Sequence, residues 1–119
     1  MDPGKNVMII DDEMDLCLLM KNYLIHRQYK VHYALTLKEG IDMMDSFHPD
    51  ILFLDNNLPD GIGWKKAKDI LEQYPGISLY LMSGYQPNLP EDLPADKFKV
   101  IQKPISFSDL EFLNRNSQV

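Results

Sequence analysis

Short apolar runs alternate along this chain with stretches whose apolar residues recur at helical spacing. Val7 to Ile10 (VMII) is a continuous apolar run of strand length. Leu16, Leu19, Met20, Tyr23 and Leu24 follow at i, i+3, i+4, i+7 and i+8, the stripe of a helix lying on a sheet. Lys30 to Ala34 (KVHYA) predicts a weaker second strand nearer an edge. Thr36 with Glu39 three residues later forms a capping box, opening a helix with Leu37, Ile41 and Met44 on its inner face. Ile51 to Leu54 is the third strand. Beyond a turn rich in Pro and Gly, Trp64, Ala67, Leu71 and Tyr74 mark a helix stopped by Pro75-Gly76. Ile77 to Met82 (ISLYLM) and Phe98 to Ile101 (FKVI) predict the fourth and fifth strands. Ser106 with Asp109 caps a last helix containing Leu110 and Leu113. Between them, Tyr85 to Asp96 (YQPNLPEDLPAD) carries proline at 87, 90 and 94, so a stiff irregular loop or at most one helical turn is expected there.

Such alternation predicts a parallel sheet covered by helices on both faces, with ligands collecting at the carboxyl ends of the strands near the point where strand order reverses. The residues predicted at that edge carry chemistry. Strand one ends in Asp11-Asp12-Glu13, strand three in Asp55, strand four in Ser83-Gly84 and strand five in Lys103-Pro104. Each alone has a plain reading: a strand-end acid as a helix cap or solvated turn, Lys103 as a solvated lysine, Ser83 as a turn residue. Together they differ, because acids packed at one edge repel and raise one another's pKa. A cation would relieve that repulsion. Hard oxygen ligands, few in number and beside a phosphate, suit Mg2+.

The bulk properties narrow the classes. At 119 residues the chain is of single-domain size, and we take residues 1–119 as one domain. A net charge of −6 without a Lys/Arg cluster argues against direct nucleic-acid binding. The lone Cys17 lies among Leu16, Leu18 and Leu19, reads as a small buried apolar residue, and suits a reducing, cytoplasmic setting. No apolar run reaches membrane-spanning length, and MDPGKN lacks a secretory signal pattern. His26, His32 and His48 have no ligand-like spacing and are read as structural or solvent-facing.

The set IIDDE, LFLDNNLPDGIG, LYLMSGY and IQKPIS, in that order from about Lys5 to Leu113, resembles the receiver domain of two-component response regulators. The resemblance implies a flavodoxin-like, doubly wound, five-stranded parallel sheet in the order 2-1-3-4-5 with flanking helices, the fourth being short or irregular here. It implies that Asp55 is the phosphoacceptor for a sensor histidine kinase or histidine phosphotransfer protein, in a signalling domain whose only catalysis is of its own phosphorylation and dephosphorylation. Asp12 matches the acid that ligates Mg2+ directly, and Asp11 its neighbour acting through a metal-bound water. Asn57 would offer its backbone carbonyl to the metal, and its side chain occupies a position that tunes dephosphorylation. Lys103 and Ser83 would stabilise the phosphoryl oxygens, with the N–H groups of Asn56, Asn57 and Gly84 as further donors, and Lys103-Pro104 resembles the family's cis-proline junction. Glu13 and Asp60 are left as solvated or helix-starting acids, Gly61 and Gly63 as turn glycines, and Trp64, Tyr74 and the methionines as core.

The chain departs from the pattern at its output face. Receivers carry Tyr or Phe three residues before the motif lysine, where this chain has Val100. With the three prolines, that alters the usual output and dimerisation surface, although a homodimer stays among the expectations. Either a stand-alone receiver or the first domain of a larger regulator fits. Two other classes compete: a pseudo-receiver that keeps the fold as an interaction module without phosphorylation, and an aspartyl-phosphate phosphatase. The latter wants a second acid two residues after the nucleophile, where this chain has Asn57.

Overall fold

The computed structural model describes residues 4–84 and 89–111. The five apolar runs become β1 (Asn6–Ile10), β2 (Lys30–Ala34), β3 (Ile51–Asp55), β6 (Ser78–Ser83) and β7 (Phe98–Gln102). They form one sheet in the order β2-β1-β3-β6-β7, with every pairing parallel. Val7 lies opposite both Val31 and Ile51, so the chain winds outward from β1 to β2 and then returns across it to β3. The reversal therefore falls between β1 and β3, and it sets the residues after Ile10 beside the end of β3. This is the parallel sheet expected from the alternating pattern, in the strand order that the family resemblance implied.

Period-two side-chain alternation explains the two core layers. From β1, Val7 and Ile9 join Cys17, Met20, Leu24, Phe53, Tyr80 and Leu110 on one face. Met8 and Ile10 join Met44, Leu52, Leu54, Trp64, Ala67 and Leu81 on the other. β3 is buried at all five positions, as a central parallel strand must be.

The helices are α1 (Met14–Ile25), α2 (Leu37–Phe47) and α3 (Ala67–Gln73), the last preceded by a 3-10 turn at Gly63–Lys66. In α1 the expected stripe needs one correction. Leu19 is 48% exposed, and Cys17 takes the inward place beside Met20, Tyr23 and Leu24. A run of leucines leaves the helical phase ambiguous by one residue, and packing against β1 resolves it. In α2 the capping box forms, with the Glu39 amide donating to Thr36 Oγ1 at 3.1 Å. Gly40 lets this helix lie close on the sheet, because a Cβ there would come within 2.4 Å of the Ile10 side chain.

A small antiparallel hairpin, β4 (Asn57–Leu58) with β5 (Gly61–Ile62), folds around Pro59-Asp60 and was not foreseen as strand. After β6, residues 89–94 are not helical and a single 3-10 turn spans Ala95–Lys97. That agrees with the proline-broken expectation, of which Tyr85 to Asn88 lie outside the described residues. The final helix covers residues 107–111 among those described. Asp109 Oδ2 accepts from the Ser106 amide at 2.8 Å, and Leu110 is buried. Leu113 lies outside the described residues.

Candidate functional site

Four strand ends and the loops after them converge on one edge of the sheet. β1 delivers Asp11, fully buried, followed by the exposed Asp12. β3 ends on Asp55, 4% exposed, and β6 on Ser83, 3% exposed. Beyond β7, Lys103 turns inward ahead of a cis peptide bond to Pro104. The strand ends are stitched by backbone bonds, the Asn56 amide donating to the Met82 carbonyl at 3.2 Å and the Lys103 amide to the Ser83 carbonyl at 2.7 Å. Gly84 follows as an exposed bend residue, and Asn57 lies exposed at the start of β4. Among the described residues, Asp11, Asp12, Asp55 and Lys103 thus come together with Ser83 buried at the adjoining strand end, whereas Val100 sits on β7 opposite Leu81 and is 44% exposed.

Asp11, Asp12 and Asp55 each offer a carboxylate oxygen, all within 4.8 Å of one another. Lys103 Nζ lies 2.8 Å from Asp11 Oδ2 and 3.3 Å from Asp55 Oδ1. The Asp11 contact is an ion pair without an aligned hydrogen bond, leaving this buried oxygen with acceptor capacity. Asp11 Oδ1 instead accepts from the Glu13 amide at 2.9 Å. Burial, then the Asp11 charge, pushes the Asp55 carboxyl up to about 6, against the opposing pull of Lys103. Burial also raises Asp11, with Lys103 partly offsetting it. Burial works against the charge on Lys103, but Asp11 and Glu13 outweigh it and hold the ammonium above its ordinary pKa. An all-oxygen donor set, with negative charge beyond what one lysine neutralises, fits a hard divalent cation such as Mg2+.

The surroundings keep this arrangement in place. Gly63 is needed for space rather than for turn conformation, since a Cβ there would lie 2.0 Å from the Asp55 carbonyl oxygen. Its amide donates to the Asn56 carbonyl at 2.8 Å. Next to it, buried Trp64 donates its indole N–H to the Leu54 carbonyl at 3.2 Å. Cys17 Sγ lies 3.4 Å from the Asp11 carbonyl, and burial pushes its thiol up to about 12, so it stays a neutral packing residue. The histidines are elsewhere. His26 and His48 end α1 and α2, and His32 stacks on Phe47.

Two acids do more than the sequence suggested. Glu13 does stand at the start of α1, yet its side chain gives no cap there and pairs with Lys103 at 2.6 Å, across 90 residues. Asp60 caps a helix, but it is α2: its carboxylate accepts from the Leu37 and Lys38 amides at 2.8 and 2.9 Å. No local sequence signal marks either contact. The one available hint was that both acids lie within the motifs that form the site.

The sequence of residues 7–113 matches the family described as the response regulator receiver domain. The chemotaxis protein CheY of Thermotoga maritima is 28% identical over 119 residues, covering 97% of this chain and 99% of CheY. The KDP operon transcriptional regulatory protein KdpE of Escherichia coli is 27% identical, but the match spans only 48% of its length. Among solved structures, a signal receiver domain of an HD domain-containing protein from Pseudomonas fluorescens superposes with a TM-score of 0.83 at 18% identity, covering 97% of this chain and 94% of that one. A CheY-like receiver domain from Methanospirillum hungatei gives 0.80 at 21%, covering 96% and 93%. The same fold, the acids gathered at the switch point and a family match across nearly the whole chain lead to one assignment: this protein belongs to the response regulator receiver domain family of two-component signalling.

Proposed function

We propose that Asp55 is the phosphoacceptor of this receiver domain, taking a phosphoryl group from a sensor histidine kinase or a histidine phosphotransfer protein. The observation that carries the reading is a buried strand-end carboxylate with an ammonium 3.3 Å away and two further acids beside it. A carboxylate oxygen of Asp55 bonds to phosphorus as the bond from phosphorus to the donor's histidine nitrogen breaks, its electron pair staying on the imidazole. The product is an acyl phosphate. At neutral pH a carboxyl with a pKa of about 6 is mostly ionised, so the nucleophile needs no general base. Lys103 offers positive charge and Ser83 a hydroxyl to the phosphoryl oxygens, joined by the backbone amides of Asn57 and Gly84. Asp11, Asp12, Asp55 and the Asn57 carbonyl would hold Mg2+, which when bound supplies positive charge against those oxygens.

Acetyl phosphate or phosphoramidate with Mg2+ tests this directly. Mass spectrometry should find one phosphoryl group, on Asp55, and Asp55→Asn should abolish it. Labelling undiminished in Asp55→Asn would overturn the assignment. A wild-type protein that takes no phosphoryl group would instead be an interaction module, and steady release of phosphate would mark a phosphatase.

A further inference from the structure

Lys103 does not sit symmetrically among its acids. Its Nζ is 2.6 Å from Glu13 Oε1 and 2.8 Å from Asp11 Oδ2, but 3.3 Å from Asp55 Oδ1. The three carboxylates differ in what letting go would cost. The Asp11 and Asp55 side chains are 0% and 6% exposed, so losing their counter-ion would leave charge in a desolvated place. The Glu13 side chain is 59% exposed and can return to water. It is also not committed to its own helix, since the first turn of α1 takes no side-chain cap from it. We infer that Glu13 is an exchangeable counter-ion for Lys103: it holds the ammonium while Asp55 is unmodified and yields it to the phosphoryl group.

This positioning role rests on Asp55 being the phosphoacceptor. A phosphoryl oxygen on Asp55 must recruit Lys103 against the Glu13 contact, and the Glu13 charge also opposes an incoming anion. Both effects make Glu13 a brake. Shortening the side chain by one methylene in Glu13→Asp keeps the charge and loses the reach, whereas Glu13→Gln loses the charge.

The test compares wild type, Glu13→Asp and Glu13→Gln in binding beryllofluoride, a phosphoryl mimic, with Mg2+, followed by amide chemical shifts. Both variants should bind about 2- to 5-fold more tightly, the size of a partly exposed ion pair. Tightening in Glu13→Gln alone would mean general charge repulsion and would overturn the inference. So would weaker or unchanged binding in both, the result if Glu13 merely props Lys103 in place. If the wild type itself takes no beryllofluoride, the phosphoacceptor reading falls first and this inference with it.

Discussion

Burial and the neighbouring Asp11 carboxylate push the Asp55 carboxyl up to about 6, and that has a sign for stability. The folded state binds the proton more tightly than the unfolded chain, whose carboxyl keeps its ordinary value of 3.8. The charged form therefore costs nothing below about pH 4, costs progressively more between 4 and 6, and costs its full amount above. Asp55→Asn should accordingly raise the stability of the Mg2+-free protein at pH 7 by about 1–2 kcal/mol, allowing for solvent screening, with the gain fading toward pH 4. Chemical denaturation at the two pH values measures it, and equal stability of variant and wild type at pH 7 would contradict it. Gly63 offers a contrasting residue. Adding a methyl against the Asp55 carbonyl oxygen in Gly63→Ala forces the loop away from the end of β3. We expect a loss of about 2–3 kcal/mol together with weakened beryllofluoride binding. Of these residues, Asp55, Asp11, Asp12, Ser83 and Lys103 were legible because strand ends and motifs announce them. The need for Gly63 was not, since the sequence shows a glycine but not the backbone atom beside it.

Between residue and fold stand the elements, and here Asp60 links the loop after Asp55 to the start of α2. The amides of Lys38 and Leu37 hold its carboxyl below the usual range. Its contribution is thus present above the unfolded pKa and is lost as pH falls through the lower, folded one. In Asp60→Ala the Leu37 and Lys38 amides should exchange faster with solvent while those of β3 do not. The output side gives a second prediction. Val100 has no ring to move with Ser83, and residues 89–94 offer no helix to tilt. Beryllofluoride should therefore shift amides mainly in Asn56–Gly63 and at Ser83–Gly84, with Phe98–Ile101 responding little; large shifts centred on β7, with a new dimer through that face, would contradict this. The strands were readable because each is a short apolar run bounded by turn residues. The β4–β5 hairpin was not, because two residues per strand carry no period. Leu19 misled because three leucines and a cysteine leave the helix free to rotate until the sheet chooses a face.

For the molecule as a whole, the site exists only when the sheet is closed, since it draws on residues from Asp11 to Lys103. Mg2+ should bind saturably, raise the melting temperature of the whole domain by mass action, and bind markedly more weakly in Asp12→Ala. A calorimetric titration with an unchanged affinity in that variant would remove Asp12 from the ligand set. A parallel sheet was inferable from alternation and its strand order only from the family resemblance, whereas the Glu13–Lys103 pair, spanning 90 residues, had no local trace. The position of that lysine has one more result. Lys103 hangs from the end of β7, an edge strand paired only with β6, on which Lys99, Val100 and Gln102 face solvent. An edge strand with so little cover opens at lower free energy than the buried centre of the sheet. When it lifts, the ammonium leaves while Asp11, Asp12 and Asp55 stay at the ends of β1 and β3. Substitutions that fasten that edge should keep Lys103 beside Asp55 for a larger share of the time, and slower amide exchange along β7 would measure it.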